Sequence, residues 1–280
     1  MRESTFMTLM RLLPKSALST AVGAATRVAA PASFHRSFMR FFAKRYQVAL
    51  EEAEHGFEGY NTFSDFFARK LKPGLRPIAE GERVVVSPCD GRVSQVGYAE
   101  QDQCIQAKGI SFPIGKLLGD EASAHSFVGG AYATIYLSPR DYHRFHAPLG
   151  GQILGYSYVP GEFWPVNAAS VKLKQALFCL NERLITFVGT SAGLMAYVAV
   201  GATCVSRIRS SYDPFITHQG QPAKVHRFDK SIPLEKGAEI GWFEMGSTVI
   251  VLFQKGRVKW DESFKEDSVV RMGQRIGEAT

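Results

Sequence analysis

Two histidines three residues apart, His143 and His146, lie in the stretch Ser138-Pro-Arg-Asp141-Tyr-His143-Arg-Phe-His146-Ala-Pro148, with Asp141 two residues ahead of the first. Imidazole changes protonation near neutral pH, so such a pair suits acid–base catalysis; a hydrogen-bonded structural pair has the same spacing. A metal pair is a third reading, but no Cys or further His stands close by to complete a zinc set. Asp90 is another candidate acid, in Ser87-Pro-Cys-Asp90-Gly-Arg, although Asp-Gly alone reads as a turn. Near the C-terminus Phe243-Glu-Met-Gly246-Ser247-Thr248 runs straight into the apolar Val249–Phe253, and Gly-Ser before a strand is by itself ordinary turn chemistry.

Two further patterns compete for attention. Gly189-Thr-Ser191-Ala-Gly193 fits the G-x-S-x-G nucleophile elbow, which needs a strand before it and a helix after it. Leu194–Val200 is strand-like, so Thr190–Gly193 reads as a hairpin turn, and an esterase built on Ser191 is the minor reading. Gly109–Lys116 resembles a P-loop, but it has one residue too many between the glycines. Leu117 also stands where Ser or Thr should hold magnesium, so the pattern is rejected.

The elements that position these residues are mostly β. After Pro77 come short apolar runs punctuated by Gly, Pro and Asp: Val84–Val86, Arg92–Tyr98, Ala131–Leu137, Gln152–Tyr158, Leu184–Val188, Leu194–Val200, Thr203–Arg209 and Thr248–Gln254. One helix is expected near Ala168–Leu177. Residues 1–50 read as helices broken at Pro14, Gly23 and Pro31. Thr62-Phe-Ser-Asp65 is a loose capping box that opens a short helix ending before Pro73-Gly74. The expected fold is mainly β, a barrel or sandwich over 76–280, with a helical N-terminal segment over 1–75.

Charge separates the same two regions. The net charge is +7, and residues 1–50 hold eight Lys or Arg against one acid, Glu3, so the whole excess lies there. A nucleic-acid binder would spread that charge over its folded domain, so nucleic acid is not an expected partner. Basic residues interleaved with Phe34, Phe38, Phe41, Phe42 and Tyr46, at helical spacing, fit a helix on an anionic membrane surface. A helix packed on its own domain and an organelle transit peptide share the pattern. The uncharged run Ser16–Thr26 falls well short of the roughly 20 apolar residues that a spanning helix needs. Cys89, Cys104, Cys179 and Cys204 form no CxxC pair, so free thiols in a reducing compartment are expected.

Taken together, the segments resemble the phosphatidylserine decarboxylase family, pyruvoyl-dependent enzymes that cleave their own chain. The likeness covers nearly the whole chain. It runs through Thr62-Phe-Ser-Asp-Phe-Phe-Ala-Arg, Leu75-Arg-Pro-Ile, Pro88-Cys-Asp-Gly, Gln106-Ala-Lys-Gly, the block from Tyr136 to His146, Val159-Pro-Gly, Val166-Asn, Asn181-Glu-Arg, Val200-Gly-Ala-Thr and Gly246-Ser-Thr. Two places depart from the bacterial pattern: Met245, where Leu is common, and Arg209-Ser-Ser-Tyr, where the pattern is more acidic and carries Trp. The basic N-terminal helices are then similar to the family's membrane-association segment, with no additional leader expected ahead of Leu12-Leu-Pro-Lys.

The resemblance implies roles. Asp90 would orient His146, which takes the proton of Ser247; Ser247 then attacks the carbonyl of Gly246. The resulting ester would eliminate and hydrolyse to a pyruvoyl group, a covalent pyruvate derived from Ser247, leaving a β chain of 1–246 and an α chain of 247–280. Phosphatidylserine would condense with it as a Schiff base and lose carbon dioxide, giving phosphatidylethanolamine, with His143 serving the decarboxylation step and Asp141 supporting the histidines. No metal, nucleotide or pyridoxal phosphate is implied. The resemblance implies a peripheral protein on the cytoplasmic face of the cell membrane, and it allows a homodimer. A pyruvoyl decarboxylase of another amino acid and a non-catalytic membrane-binding β domain are the competing readings.

Overall fold

A computed structural model describes residues 8, 10, 13–29, 32–203, 207–245 and 248–280, and β structure dominates it, with the longer helices gathered at the N-terminus. The largest sheet has eight strands in the order Lys224–Leu234, Gly151–Val159, Arg183–Thr190, Gly193–Val200, Thr248–Phe253, Ala131–Tyr136, Gly91–Tyr98 and Val269–Val270. Its neighbours are all antiparallel. The central strands are buried along nearly their whole length, which is why they read as continuous apolar runs. A three-stranded sheet, Ile208–Ser210, Glu239–Phe243 and Arg144–His146, stands beside it.

Several local expectations meet their structure here. Thr190 pairs with Gly193 across a hairpin, Gly193 has φ +83°, and a strand follows, so Ser191 sits on an exposed turn and not on a nucleophile elbow. Gly109, at φ +77°, turns the hairpin between Gln103–Ala107 and Ile110–Pro113. The helix expected near Ala168–Leu177 is two, Ala168–Leu173 and Leu177–Leu180, split where Ala176 takes φ +48°. Buried Gln106 holds the break: it donates to the Val171 and Lys174 carbonyls and accepts from the Leu177 N–H. Of the strand expected at Thr203–Arg209, Thr203 lies in a turn and Ile208–Ser210 is strand, while 204–206 lie outside the described residues.

Three helices pack on this frame. Helix α1, Lys15–Arg27, runs unbroken through Gly23, against expectation; Gly23 and Ser19, one turn apart, form its buried small-residue face. Pro31 lies outside the described residues. Helix α2 spans Ala32–Tyr46, and helix α3 spans Phe63–Phe67. The capping box of α3 forms in full: Asp65 N–H donates to Thr62 Oγ1 at 3.0 Å and Thr62 N–H to Asp65 Oδ2 at 3.1 Å.

The aromatic stripe of α2 divides. Phe42 packs on Phe63, Phe66 and Phe67, and Met39 is fully buried, whereas Phe34 and Phe41 are 67% and 66% exposed. The helix therefore both docks on its own protein and leaves an apolar face open. Met245 bridges this N-terminal cluster and the main core, packing against both. Among the described residues no helix is long and apolar enough to cross a membrane.

Candidate active site

Two chain segments leave one sheet and enter the other over the same interval. In the large sheet Thr248 lies opposite Tyr136; in the small sheet Trp242 lies opposite Arg144 and Glu239 opposite His146. Residues 137–143 make the crossing on one side; on the other the described chain leaves the small sheet after Phe243 and resumes in the large sheet at Thr248. The Phe243 N–H donates to the His143 carbonyl across the gap at 3.0 Å. Gly241 permits the close approach behind it, since a Cβ there would lie 2.1 Å from the Arg209 carbonyl oxygen and 2.8 Å from the Phe145 ring. Gly246 and Ser247 themselves lie outside the described residues; Met245 and Thr248 border them.

His143 is fully buried, with its ring 4.1 Å from that of Phe67 on α3. Its Nδ1 lies 2.8 Å from the Asp141 carbonyl, which can only accept, so Nδ1 carries the proton. That leaves Nε2 with a lone pair and no hydrogen-bond partner. Burial and the nearby charge of Arg69 push its pKa down to about 3, only partly opposed by the Asp141 and Leu137 carbonyls. Asp141 thus supports this histidine through its main chain. Its carboxylate accepts from both the N–H and the hydroxyl of Ser138 at 2.7 Å and closes the turn that presents the imidazole.

His146 is oriented differently. Its Nδ1 donates to the Gly237 carbonyl at 2.9 Å, and its Nε2 lies 3.1 Å from the Tyr142 hydroxyl, which is then the donor. Burial lowers its pKa, against the Gly237 carbonyl and the charge of Glu239. No hydrogen bond joins Asp90 to His146. Asp90 is instead gripped by Arg76, with Nε–Oδ1 2.9 Å and Nη2–Oδ2 2.6 Å, and accepts from the Met272 N–H at 2.8 Å. Its charge reaches the imidazole through space, favouring the protonated ring. Gly91 follows because a Cβ there would meet the Tyr136 carbonyl at 2.5 Å, not because a left-handed turn is needed.

Three partners had no signal in residue type alone: Arg76 under Asp90, Tyr142 on His146, and Arg69, whose Nη2 donates to the Arg140 and Asp141 carbonyls. All three do fall inside motifs of the resemblance. Cys89, Cys104 and Cys179 are free thiols, and Cys204 lies outside the described residues. Among the described residues no three His, Cys, Asp or Glu side chains cluster so as to hold a metal ion.

A sequence profile described as phosphatidylserine decarboxylase matches residues 63–278. The chain belongs to the phosphatidylserine decarboxylase family. It is 64% identical over 280 residues to a phosphatidylserine decarboxylase proenzyme of Myxococcus xanthus (strain DK1622), with all of both chains covered. It is 52% identical over 282 residues to one of Anaeromyxobacter sp. (strain K), again end to end, and 43% identical to one of Pseudomonas putida (strain GB-1) over 99% of each chain. Within this family frame Met245 has a simple physical account. It fills an apolar position between two hydrophobic clusters, where Met and Leu exchange at little cost.

Proposed function

We propose that the protein is a self-processing phosphatidylserine decarboxylase, cut between Gly246 and Ser247, in which Ser247 becomes a covalently bound pyruvoyl group. His143 carries the reading. In a chain of this family it is a buried, neutral base with an open Nε2, on the turn bonded to Phe243, four residues ahead of Ser247. The residues around the gap suit such a group, since His143 presents an unfilled acceptor there. The pyruvoyl ketone supplies the electron sink that decarboxylation of an amino acid requires and ordinary side chains lack.

The chain's own residues do the rest. Before processing, His146 takes the proton of the Ser247 hydroxyl, and the negative charge of Asp90 stabilises the imidazolium that results. Afterwards His143 serves the decarboxylation step, positioning the reacting group through its open Nε2 and relaying to the α-carbon the proton that replaces carbon dioxide. Asp141 keeps that ring in place through its carbonyl.

The exposed Phe34, Phe38 and Phe41 on a basic helix support a peripheral site of action on an anionic membrane surface, which we propose is the cytoplasmic face. The test of the activity is intact mass spectrometry together with carbon dioxide release. Two chains split after Gly246, and release from phosphatidylserine, are expected. Release only from free amino acids would overturn the lipid substrate, and a chain that stays whole yet active would overturn the mechanism.

A further inference from the structure

Arg69 is only 3% exposed, yet two of its nitrogens have nothing to bond. Nη2 is taken by the carbonyls of Arg140 and Asp141 at 2.9 and 3.2 Å, while Nε and Nη1 are buried without a partner. Burial pulls its pKa below the ordinary value, so the surroundings do not favour the charge. A buried guanidinium with open donors is costly unless something anionic fills them.

Arg69 lines a cavity of about 350 Å³ between α3 and the strand Glu239–Phe243, with Lys70, Arg144, Arg209, Trp242 and Glu244. Arg144 is matched there by Glu239 and Arg209 by Glu244, both within 2.9 Å. Of the other carboxylates in the lining, Asp65 is held in the α3 capping box and Glu54 faces His55 at 3.7 Å. Arg69 is therefore the buried cation whose donors remain open, with the exposed Lys70 beside it. On one side the cavity is walled by Ser64 and Asp65 of α3, the helix against which α2 packs. On the other, Trp242 and Glu244 lead directly toward the cleavage sequence. An amphiphile with acyl chains at α2 and a reacting amine near residue 247 would put its linking group in this space.

We propose that Arg69 holds the phosphodiester of the substrate headgroup in this cavity, with Lys70 at its edge. The inference rests on the reading of the chain as a phosphatidylserine decarboxylase and names the group by which that substrate is held. The α-carboxylate is the other anion of the headgroup, and the chemistry argues against it. A cation paired with the carboxylate stabilises the charge that must leave as neutral carbon dioxide, and so opposes the reaction. The phosphodiester keeps its charge from substrate to product, so an ion pair to it orients the headgroup without that penalty.

The test compares phosphatidylserine with an analogue of the same acyl chains in which an ether replaces the phosphodiester. Arg69→Gln and Arg69→Lys should lose about tenfold or more in kcat/KM on phosphatidylserine, mainly through KM, and little on the ether analogue. Equal losses on both would mean that Arg69 serves the carboxylate or merely supports the Asp141 turn, and would overturn the proposal. In a Ser247→Ala background, free of processing and turnover, calorimetry should show glycerophosphoserine binding about tenfold more weakly when Arg69 is Gln. Unchanged binding there would also overturn it, as would inorganic phosphate binding as tightly as glycerophosphoserine. Failure of the wild-type protein to decarboxylate phosphatidylserine would sink the functional reading instead.

Discussion

Arg76 and Asp90 form a two-point ion pair beneath the site, and the same guanidinium reaches Glu52 at 2.6 Å. Burial works against the Arg76 charge, but hydrogen bonds to Asp90 and Glu52 overcome it and lift its pKa above the ordinary value. Removing the cation strands a buried carboxylate, so Arg76→Ala should destabilise the fold by about 3 kcal/mol. Urea denaturation measures it. A loss under about 1 kcal/mol would show the pair to be as well screened as a surface one.

Ser247→Ala should yield a single uncleaved 280-residue chain without decarboxylase activity, since the proposal makes Ser247 both the nucleophile and the source of the prosthetic group. Denaturing electrophoresis and intact mass are sufficient. Recovery of a 247–280 fragment from this variant would refute the proposed cleavage chemistry.

The two histidines should separate under mutation. His146→Ala and Asp90→Ala are expected to stall processing, and His143→Ala to process and then decarboxylate poorly. The ladder makes this a sharp comparison, because Phe243 is bonded to His143 while His146 lies opposite Glu239. If His143→Ala stayed whole and His146→Ala matured normally, the roles would be exchanged.

Acid should unfold the protein partly through these rings. His143 has a folded pKa of about 3, and that of His146 is also lowered, whereas an unfolded histidine titrates near 6.5. Below about pH 6.5 the unfolded chain binds protons that the folded one refuses, so stability present above that pH is lost on acidification, at up to about 1.4 kcal/mol per pH unit for each ring. His143→Gln should flatten the fall between about pH 6.5 and 4.5 relative to wild type. Parallel curves in denaturant titrations would show that His143 charges freely in the fold.

What could be read from sequence was what is local. The Thr62–Asp65 box, the Thr190–Gly193 turn and the buried central strands are each fixed within a few residues, by capping geometry, a left-handed glycine or an unbroken apolar run. Lys224–Leu234 escaped because it is an edge strand with mostly solvated side chains and a register break, so it shows no apolar pattern. The histidine block was visible as chemistry, but not its settings. The Gly237 carbonyl that orients His146 is a backbone acceptor 91 residues away and leaves no trace in residue type. Asp90 looked like a turn residue until Arg76 and Met272, the latter 182 residues distant, closed around it.

The membrane assignment rests on α2 and can be separated from its packing role. Phe42 and Met39 hold the helix to α3, and Phe38 leans on Phe63, so the side chains best placed to enter a bilayer surface are Phe34 and Phe41, on a helix that also carries Arg36, Arg40, Lys44 and Arg45. Each basic residue near an anionic surface contributes on the order of 1 kcal/mol, so reversing these four to Glu should remove about 4 kcal/mol of attraction and add repulsion. Replacing Phe34 and Phe41 with Ser should weaken binding without unfolding the protein, since both are already solvated. Replacing Phe42 should destabilise the helix packing instead. Salt should release the wild type, as screening shortens the reach of the attraction. Self-cleavage should persist in the charge-reversed protein, whose cleavage sequence and histidines are untouched. Vesicle co-sedimentation across a salt series, with and without anionic lipid, reads each of these. Full binding after charge reversal and loss of both exposed phenylalanines would move the membrane contact away from α2.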